Sequence, residues 1–138
     1  MDNQRITVET VVRKPIGQVW EKLTLPAHIM KWNNASEDWH TPSAENDLRA
    51  GGTFVYKMAA KDGSYSFDFG GIYDEVILNE LIAYTLGDGR KVRIELIEEY
   101  EGVKIAETFE AEATHSLEMQ RAGWQAILDN FKRYTEKA

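Results

Sequence analysis

The stretch LEMQRAGWQAILDNFKRYTE, residues 117–136, has the clearest helical periodicity in the chain. One face of the predicted helix carries the apolar residues Trp124, Ile127, Leu128, Phe131 and Tyr134. Ser116 is a suitable N-cap for a helix that begins at Leu117. Beside the apolar face, the small residues Ala122, Gly123 and Ala126 predict that this helix approaches another backbone closely.

The sequence before this helix is typical of consecutive antiparallel strands. Alternating or β-branched residues predict strands at 53–60, 65–69 continuing through 72–78, 81–86, 90–100 and 103–111. Asp62-Gly63 is a hairpin signal. Gly70-Gly71 predicts a bulge or sharp bend within its strand. The polar segment 33–46 predicts an irregular loop that leads into a strand.

The N-terminal part supplies one more strand and two short helices. Residues 6–12 are rich in β-branched side chains and predict a strand. Pro15 suits a first helical position, and Pro26 begins a second short helix. The order of elements indicates an α+β fold, in which a curved antiparallel sheet wraps around the C-terminal helix.

Composition excludes several classes of protein. The chain has 138 residues, which predicts one domain over 1–138, and its 23 acidic against 16 basic residues argue against nucleic-acid binding. No apolar run approaches the roughly 20 residues of a membrane span, and the N-terminus does not resemble a secretory signal, so we expect a cytoplasmic protein. The absence of cysteine excludes disulfides and thiolate catalysis.

Four short motifs occur in order along the chain. They are Pro15-x-x-x-Val19-Trp20-x-x-Leu23-Thr24-x-Pro26, Lys31-Trp32, Asp47-Leu48-Arg49-x-Gly51-Gly52-x-Phe54 and Gly123-Trp124-x-x-x-Leu128. In this combination the sequence resembles the bacterial branch of the AHSA-type homologues of the heat-shock-protein-90 ATPase activator. That branch belongs to the START-like, Bet v allergen-like (SRPBCC) superfamily. The resemblance implies a helix-grip fold with an internal apolar cavity between sheet and helix. It also implies that function varies, since members of the superfamily bind lipids or hormones, cyclise polyketides or contact the chaperone.

The aromatic residues are the candidates for a ligand site. Strand alternation or helical spacing places eight aromatic residues on inward faces: Trp20, Trp32, Phe54, Tyr56, Phe67, Phe69, Tyr84 and Trp124. Together with Leu128 they fill a core or line a cavity, and the pattern alone leaves both interpretations open. We expect Trp32 and Trp39 near the mouth of such a cavity. The resulting hypothesis is non-catalytic binding of a small hydrophobic or aromatic molecule, without a cofactor.

Polar candidates for chemistry are few. Glu107 alternates in phase with Val103, Ile105 and Phe109 and would therefore face inward. It is a possible ligand anchor or general base, and His40 is the second candidate for acid–base catalysis such as cyclisation or hydrolysis. Structural pairing of Glu107 with a basic neighbour is the alternative. The three histidines show no metal-ligand spacing, so no metal site is predicted.

A cluster of acidic residues suggests a further hypothesis. Seven glutamates lie between Glu95 and Glu112, against Lys104 alone. A solvated outer sheet face explains them, and so does a docking surface for a chaperone or another basic protein. The eukaryotic activators carry an additional N-terminal domain, whereas this chain begins close to its first predicted strand. Chaperone contact is therefore kept as the alternative to ligand binding.

Overall fold

A computed structural model describes residues 4–137. The elements in chain order are β1 (Arg5–Val12), α1 (Ile16–Thr24), α2 (Pro26–Trp32), β2 (Trp39–Asn46), β3 (Thr53–Ala60), β4 (Ser66–Ile77), β5 (Leu81–Leu86), β6 (Lys91–Glu99), β7 (Gly102–Glu110) and α3 (Leu117–Lys137). The strands form one antiparallel sheet in the order β1-β7-β6-β5-β4-β3-β2. This curled sheet with one long helix confirms the predicted α+β helix-grip fold.

The core lies between the inner face of the sheet and α3. On β7, Val103, Ile105 and Phe109 point inward and are almost fully buried, as strand alternation predicts. Phe109 is paired with Ile6 of β1 and Val92 of β6, so the inward rows of three strands meet at this ring. The interior is closed around this ring.

Helix α3 is also tied to the free edge of β1. Three side chains donate hydrogen bonds to β1 carbonyl oxygens: Arg121 to Thr7 (2.9 Å), Gln125 to Glu9 (3.1 Å) and Lys132 to Val11. The acceptors lie two residues apart because alternate carbonyls of a strand point to the same edge. None of the helices within residues 4–137 is long and apolar enough to cross a membrane.

Strand β2 corrects the prediction of an irregular loop over 33–46, because residues 39–46 of that segment form a strand. Trp39 and His40 begin this strand and pair with Ala60 and Ala59. The register shifts between His40 and Ser43, and this irregularity breaks the alternation on which sequence-based recognition depends. A proline, Pro42, is compatible with this edge strand because its missing N–H leaves no bond in the interior of the sheet unmade.

The glycine pair in β4 marks close packing of strands rather than the bulge itself. A Cβ atom at Gly71 would lie 2.2 Å from the Thr85 carbonyl oxygen, and one at Gly70 would lie 2.6 Å from that of Phe54. The register shift in β4 occurs between Tyr73 and Glu75 instead. The predicted bulge therefore lies a few residues further along the strand.

Candidate functional site

A cavity of about 400 Å³ lies between α3 and the inner face of the sheet. Its aromatic wall consists of Trp32, Tyr56, Phe67, Phe69, Tyr73, Tyr84, Trp124 and Phe131. Its aliphatic residues include Leu23, Met58, Ile82, Ile94, Ile105, Ile127 and Leu128. This volume is in the range of natural small-molecule sites, which begin at about 300 Å³.

Seven of the ten residues predicted to bind a ligand line this cavity. They are Trp32, Tyr56, Phe67, Phe69, Tyr84, Trp124 and Leu128. Helix α3 contributes Trp124 and Leu128 because they are four residues apart on one helix face. The Trp124 ring stacks on Phe109 at 4.0 Å between centroids and also meets Phe69 at 6.0 Å. A single tryptophan thus joins the closed core to the cavity wall.

Two of the predicted residues lie in the core and do not line the cavity. Phe54 is buried beneath the rings of Tyr73 and Tyr84, at centroid distances of 5.1 and 4.7 Å. Trp20 is buried on α1. Alternation and helical spacing placed both residues on inward faces. These patterns do not distinguish a ring that packs in the core from a ring that lines a cavity.

Trp39 also lies outside the cavity lining. It forms an aromatic cluster with Tyr65 and Phe67, with all centroid distances at 6.0 Å. Phe67 is 41% exposed and lines the cavity, so this cluster lies beside an opening. Trp32, which was expected at the mouth, is instead a buried wall residue that packs edge-on against Phe131.

Glu107 points into the cavity, and its environment sets its chemistry. No hydrogen bond or ion pair to its carboxyl group occurs within residues 4–137, so the predicted alternative of structural pairing is not observed there. Burial raises the pKa of this carboxyl from its ordinary value of 4.5 to about 7. At neutral pH the group is therefore divided between its acid and its carboxylate form.

Tyrosine hydroxyls form the other polar part of the cavity. The side-chain amide of Asn46 lies 2.8 Å from the Thr24 carbonyl oxygen and 3.4 Å from the Tyr73 hydroxyl, and donates to both. Burial raises the pKa of Tyr56, Tyr73 and Tyr84, so these groups stay protonated and can donate hydrogen bonds. Asn46 was not a candidate in the sequence, because the irregular β2 hides its inward position.

The loop that follows Asn46 explains one of the sequence motifs. Gly51 N–H donates to the Tyr73 carbonyl oxygen, and Tyr73 N–H donates to Gly52, at 2.8 and 2.9 Å. A Cβ atom at Gly52 would lie 2.0 Å from the Asp47 carbonyl oxygen. The tight turn of this motif therefore requires glycine, and it fixes the backbone that carries the Tyr73 ring.

At another part of the lining, charged residues occur in pairs. Arg90 forms an ion pair with Asp88 at 2.7 Å, and His115 contacts Glu112 at 3.1 Å. The predicted candidate His40 is exposed on β2 and does not line the cavity. Within residues 4–137 no group of three or more histidine or carboxylate side chains is arranged to hold a metal ion.

Gly123 does not have the role predicted for it. An added Cβ atom there would meet no heavy atom within 4 Å, and the residue lines the cavity. The glycine thus leaves space beside the helix instead of bringing another backbone close. Sequence alone does not separate these two uses of a small residue.

Fewer of the seven glutamates between Glu95 and Glu112 form an exposed, unpaired acidic surface than the sequence indicated. Glu107 faces the cavity, Glu95 pairs with Arg93, and Glu112 pairs with His115. Three glutamates at the β6–β7 turn, Glu98, Glu99 and Glu101, have no ion pair within residues 4–137 and are exposed. The local excess of negative charge is therefore concentrated at one hairpin tip.

Comparison with known proteins identifies close relatives of known structure. The family profile described as "Activator of Hsp90 ATPase homolog 1-like protein" matches residues 13–136. A solution structure of an AHSA1-like protein from Aeromonas hydrophila is 43% identical, with a TM-score of 0.92, over 97% of this chain and 93% of that one. A protein from Cytophaga hutchinsonii is 57% identical, with a TM-score of 0.84, over 96% and 92% of the two chains.

A solved structure with lower sequence identity shares the fold. The crystal structure of a protein from Nitrosomonas europaea is 20% identical, with a TM-score of 0.84, over 96% of this chain and 94% of that one. No curated protein sequence matches the chain.

Proposed function

The chain belongs to the family of Activator of Hsp90 ATPase homolog 1-like proteins, and from this premise we propose that it binds a small hydrophobic or aromatic molecule in the cavity beneath α3, without catalysing a reaction. Domains of this fold commonly bind ligands or act with chaperones. The ligand would be held by ring contacts with Phe69, Tyr84 and Trp124.

The observation that carries this proposal is an internal space bordered by aromatic rings and by Gly123. Protein interiors are normally packed to the density of organic crystals, and large voids cost the contacts their walls would otherwise make. The Cβ atom of an alanine at Gly123 would occupy part of that space without meeting a heavy atom within 4 Å. The helix nevertheless has glycine there, although glycine costs about 1 kcal/mol relative to alanine in a helix interior.

Two matched glycine substitutions test the proposal. Gly123→Leu places a side chain in the cavity, whereas Gly17→Leu adds the same side chain to α1, where the glycine is exposed and its Cβ would also meet nothing within 4 Å. Both changes favour helix, so only the position of the new side chain differs. The neutral dye N-phenyl-1-naphthylamine, which fluoresces in apolar surroundings, serves as the probe.

We expect saturable fluorescence with the unmodified protein and with Gly17→Leu, and a loss of affinity of about tenfold or more with Gly123→Leu. Unfolding curves of all three proteins establish that each is folded. Equal binding by both variants would place the dye elsewhere, and no binding by any of them, nor by a panel of lipids and fused-ring aromatics, would contradict the proposal.

The two alternative functions have less support. An acid–base enzyme would retain Glu107 but lacks His40, which is outside the cavity. A chaperone contact through the acidic surface would depend on the small group Glu98, Glu99 and Glu101. Substituting these three by glutamine would weaken such a contact and its salt dependence, while leaving binding of the dye unchanged.

A further inference from the structure

The ionisable side chains around the cavity differ in whether they have a partner of opposite charge. Arg90 and His115 each have an acidic partner, Asp88 and Glu112. Glu107 has none within residues 4–137, although it is partly buried and lines the cavity from the inner face of the sheet. Burying a carboxylate without a partner is costly, so the ionised form of such a group destabilises the folded protein.

The surroundings of Glu107 determine which partner would suit it. Its backbone is paired with Ile94 on one side and Val8 on the other, so its immediate neighbours on the sheet are aliphatic. Its charge acts on the hydroxyls of Tyr56 and Tyr84, raising the pKa of both beyond the effect of burial. The carboxyl group therefore lies near ring residues that border the same space.

A carboxylate beside aromatic rings is a combination that favours organic cations. The ring faces of tyrosine, tryptophan and phenylalanine attract ammonium groups, most strongly where water is excluded. A carboxylate adds a charge-assisted hydrogen bond to the same group. Taking the proposed ligand-binding function as given, we propose that the ligand carries a basic nitrogen, which binds as an ammonium ion to Glu107 with its apolar body against Phe69 and Trp124.

Other ligand chemistries fit this arrangement less well. An anionic ligand would bring a second negative charge close to Glu107, in a protein whose formal net charge is −7. A neutral hydroxyl would supply a hydrogen bond but would leave the buried charge uncompensated. Hydroxyl donors are also present already, on Tyr56, Tyr73 and Tyr84.

The proposal implies a definite pH dependence. The pKa of Glu107 is about 7, so ionisation of this group, and with it the affinity for an ammonium ion, increases as the pH rises from 6 to 8. The other titratable residues in the lining are the three tyrosines, from β3, β4 and β5, together with Arg90, Glu112 and His115. The parts of α1, α2 and α3 that line the cavity contribute no titratable side chain. His115 contacts Glu112 at 3.1 Å, and a Glu107 variant in the test separates the effect of Glu107 from that of this pair.

Three probes that share one apolar body separate the contributions. They are 2-(naphthalen-1-yl)ethylamine, 2-(naphthalen-1-yl)ethanol and 1-ethylnaphthalene, titrated by calorimetry at pH 6 and pH 8. The amine is protonated at both pH values, as lysine side chains are. Two variants are compared. Glu107→Gln removes the charge inside the cavity. Glu110→Gln is the control, because it removes a carboxylate from the outer face of the same strand, where Glu110 accepts a hydrogen bond from Lys91 N–H.

At pH 8 we expect the unmodified protein to bind the amine about 10- to 100-fold more tightly than the alcohol. This preference is expected to decrease at pH 6, to disappear in Glu107→Gln and to persist in Glu110→Gln. Equal affinity for the three probes, or an amine preference that survives Glu107→Gln, would overturn the basic-nitrogen proposal while leaving cavity binding intact. Failure of all three probes to bind would count against cavity binding as well.

Discussion

The two sides of the interior differ in how completely they are filled. Around β1 and the Phe109 ring of β7 the inward side chains are tightly packed, and Val8, Val12 and Phe109 have almost no exposed surface and do not line the cavity. Around β3 and β4 the inward side chains Tyr56, Met58 and Phe69 are only partly buried and border the cavity. We call these the closed side and the open side.

The difference follows from where α3 is attached. Its side chains bond to the edge of β1, and its Trp124 ring stacks on Phe109 at 4.0 Å between centroids. On the open side, the ring contact between Trp124 and Phe69 joins the helix to β4. The sheet is held to α3 along one edge and curls away from the helix toward its other edge, which leaves a gap between them. Aromatic rings are the side chains large enough to line this gap. The fold thus concentrates stability on one side and space on the other.

The largest effect is expected from truncating a ring on the closed side. Phe109→Ala removes a fully buried ring that stacks on Trp124, and we expect it to lower the free energy of unfolding by about 3–5 kcal/mol. Phe67→Ala, at the partly exposed edge of the open side, is expected to cost about 1 kcal/mol or less. Urea unfolding measures both values, and equal losses would contradict the distinction between the two sides.

Glu107 on β7 predicts a pH effect that is specific to the cavity. The folded state raises the pKa of this carboxyl from 4.5 to about 7, so the folded state binds its proton more tightly than the unfolded state does. The stability that this proton contributes is present below pH 4.5 and is lost as the pH rises through 7.

Glu107→Gln, which cannot ionise, is therefore expected to be more stable than the unmodified protein at pH 8, by up to roughly 3 kcal/mol, and about equally stable at pH 4.5. Denaturant unfolding at the two pH values, with Glu110→Gln as the control for loss of a carboxylate, provides the measurement. A stability difference that does not change with pH would show that burial does not perturb this group.

Two buried threonines allow a smaller comparison. Thr135 on α3 is fully buried, and its hydroxyl has no hydrogen-bond partner, whereas the Thr24 hydroxyl on α1 donates to the Trp20 carbonyl oxygen at 2.8 Å. Thr135→Val is expected to stabilise the protein by about 1 kcal/mol, and Thr24→Val to destabilise it by a similar amount. Thermal unfolding would reveal shifts of opposite sign, and a loss of stability in both would contradict the assignment for Thr135.

The smallest effect concerns the glycine that borders the cavity. Gly123→Ala adds a methyl group that meets no neighbour and removes backbone freedom from the unfolded chain, so we expect a gain of about 0.5–1 kcal/mol. Gly17→Ala on α1 is expected to give a similar gain. A loss of stability in Gly123→Ala alone would mean that α3 lies closer to the sheet than the cavity implies.

Much of the fold could be predicted because the decisive signals are local. The periodicity of Trp124, Ile127, Leu128 and Phe131 specifies one helix face, and alternation specifies the inward side of β7, including Glu107. Strand β2 was less accessible, since its register shift and its few apolar residues remove the period of two. Asn46 was missed for the same reason.

The candidate site was only partly predictable, because a cavity forms where side chains from different elements do not contact one another. Alternation placed Phe54 and Tyr56 on the same inward face, yet Tyr56 borders the cavity and Phe54 does not. That difference depends on how far the sheet curls away from α3, a distance between elements remote in sequence. Gly123 illustrates the same limit, since a small residue can bring two backbones together or leave space between them.

The hydrogen bonds from α3 to β1 have a consequence for behaviour in concentrated solution. The end strand of an open sheet normally offers its unpaired backbone groups to other chains, which then add to it as further strands. Here Arg121, Gln125 and Lys132 occupy three successive carbonyls on that edge, as an eighth strand would. The helix that leaves the interior partly empty thus also shields this edge of the molecule from self-association, and shortening it from its C-terminal end would weaken that protection first at Val11.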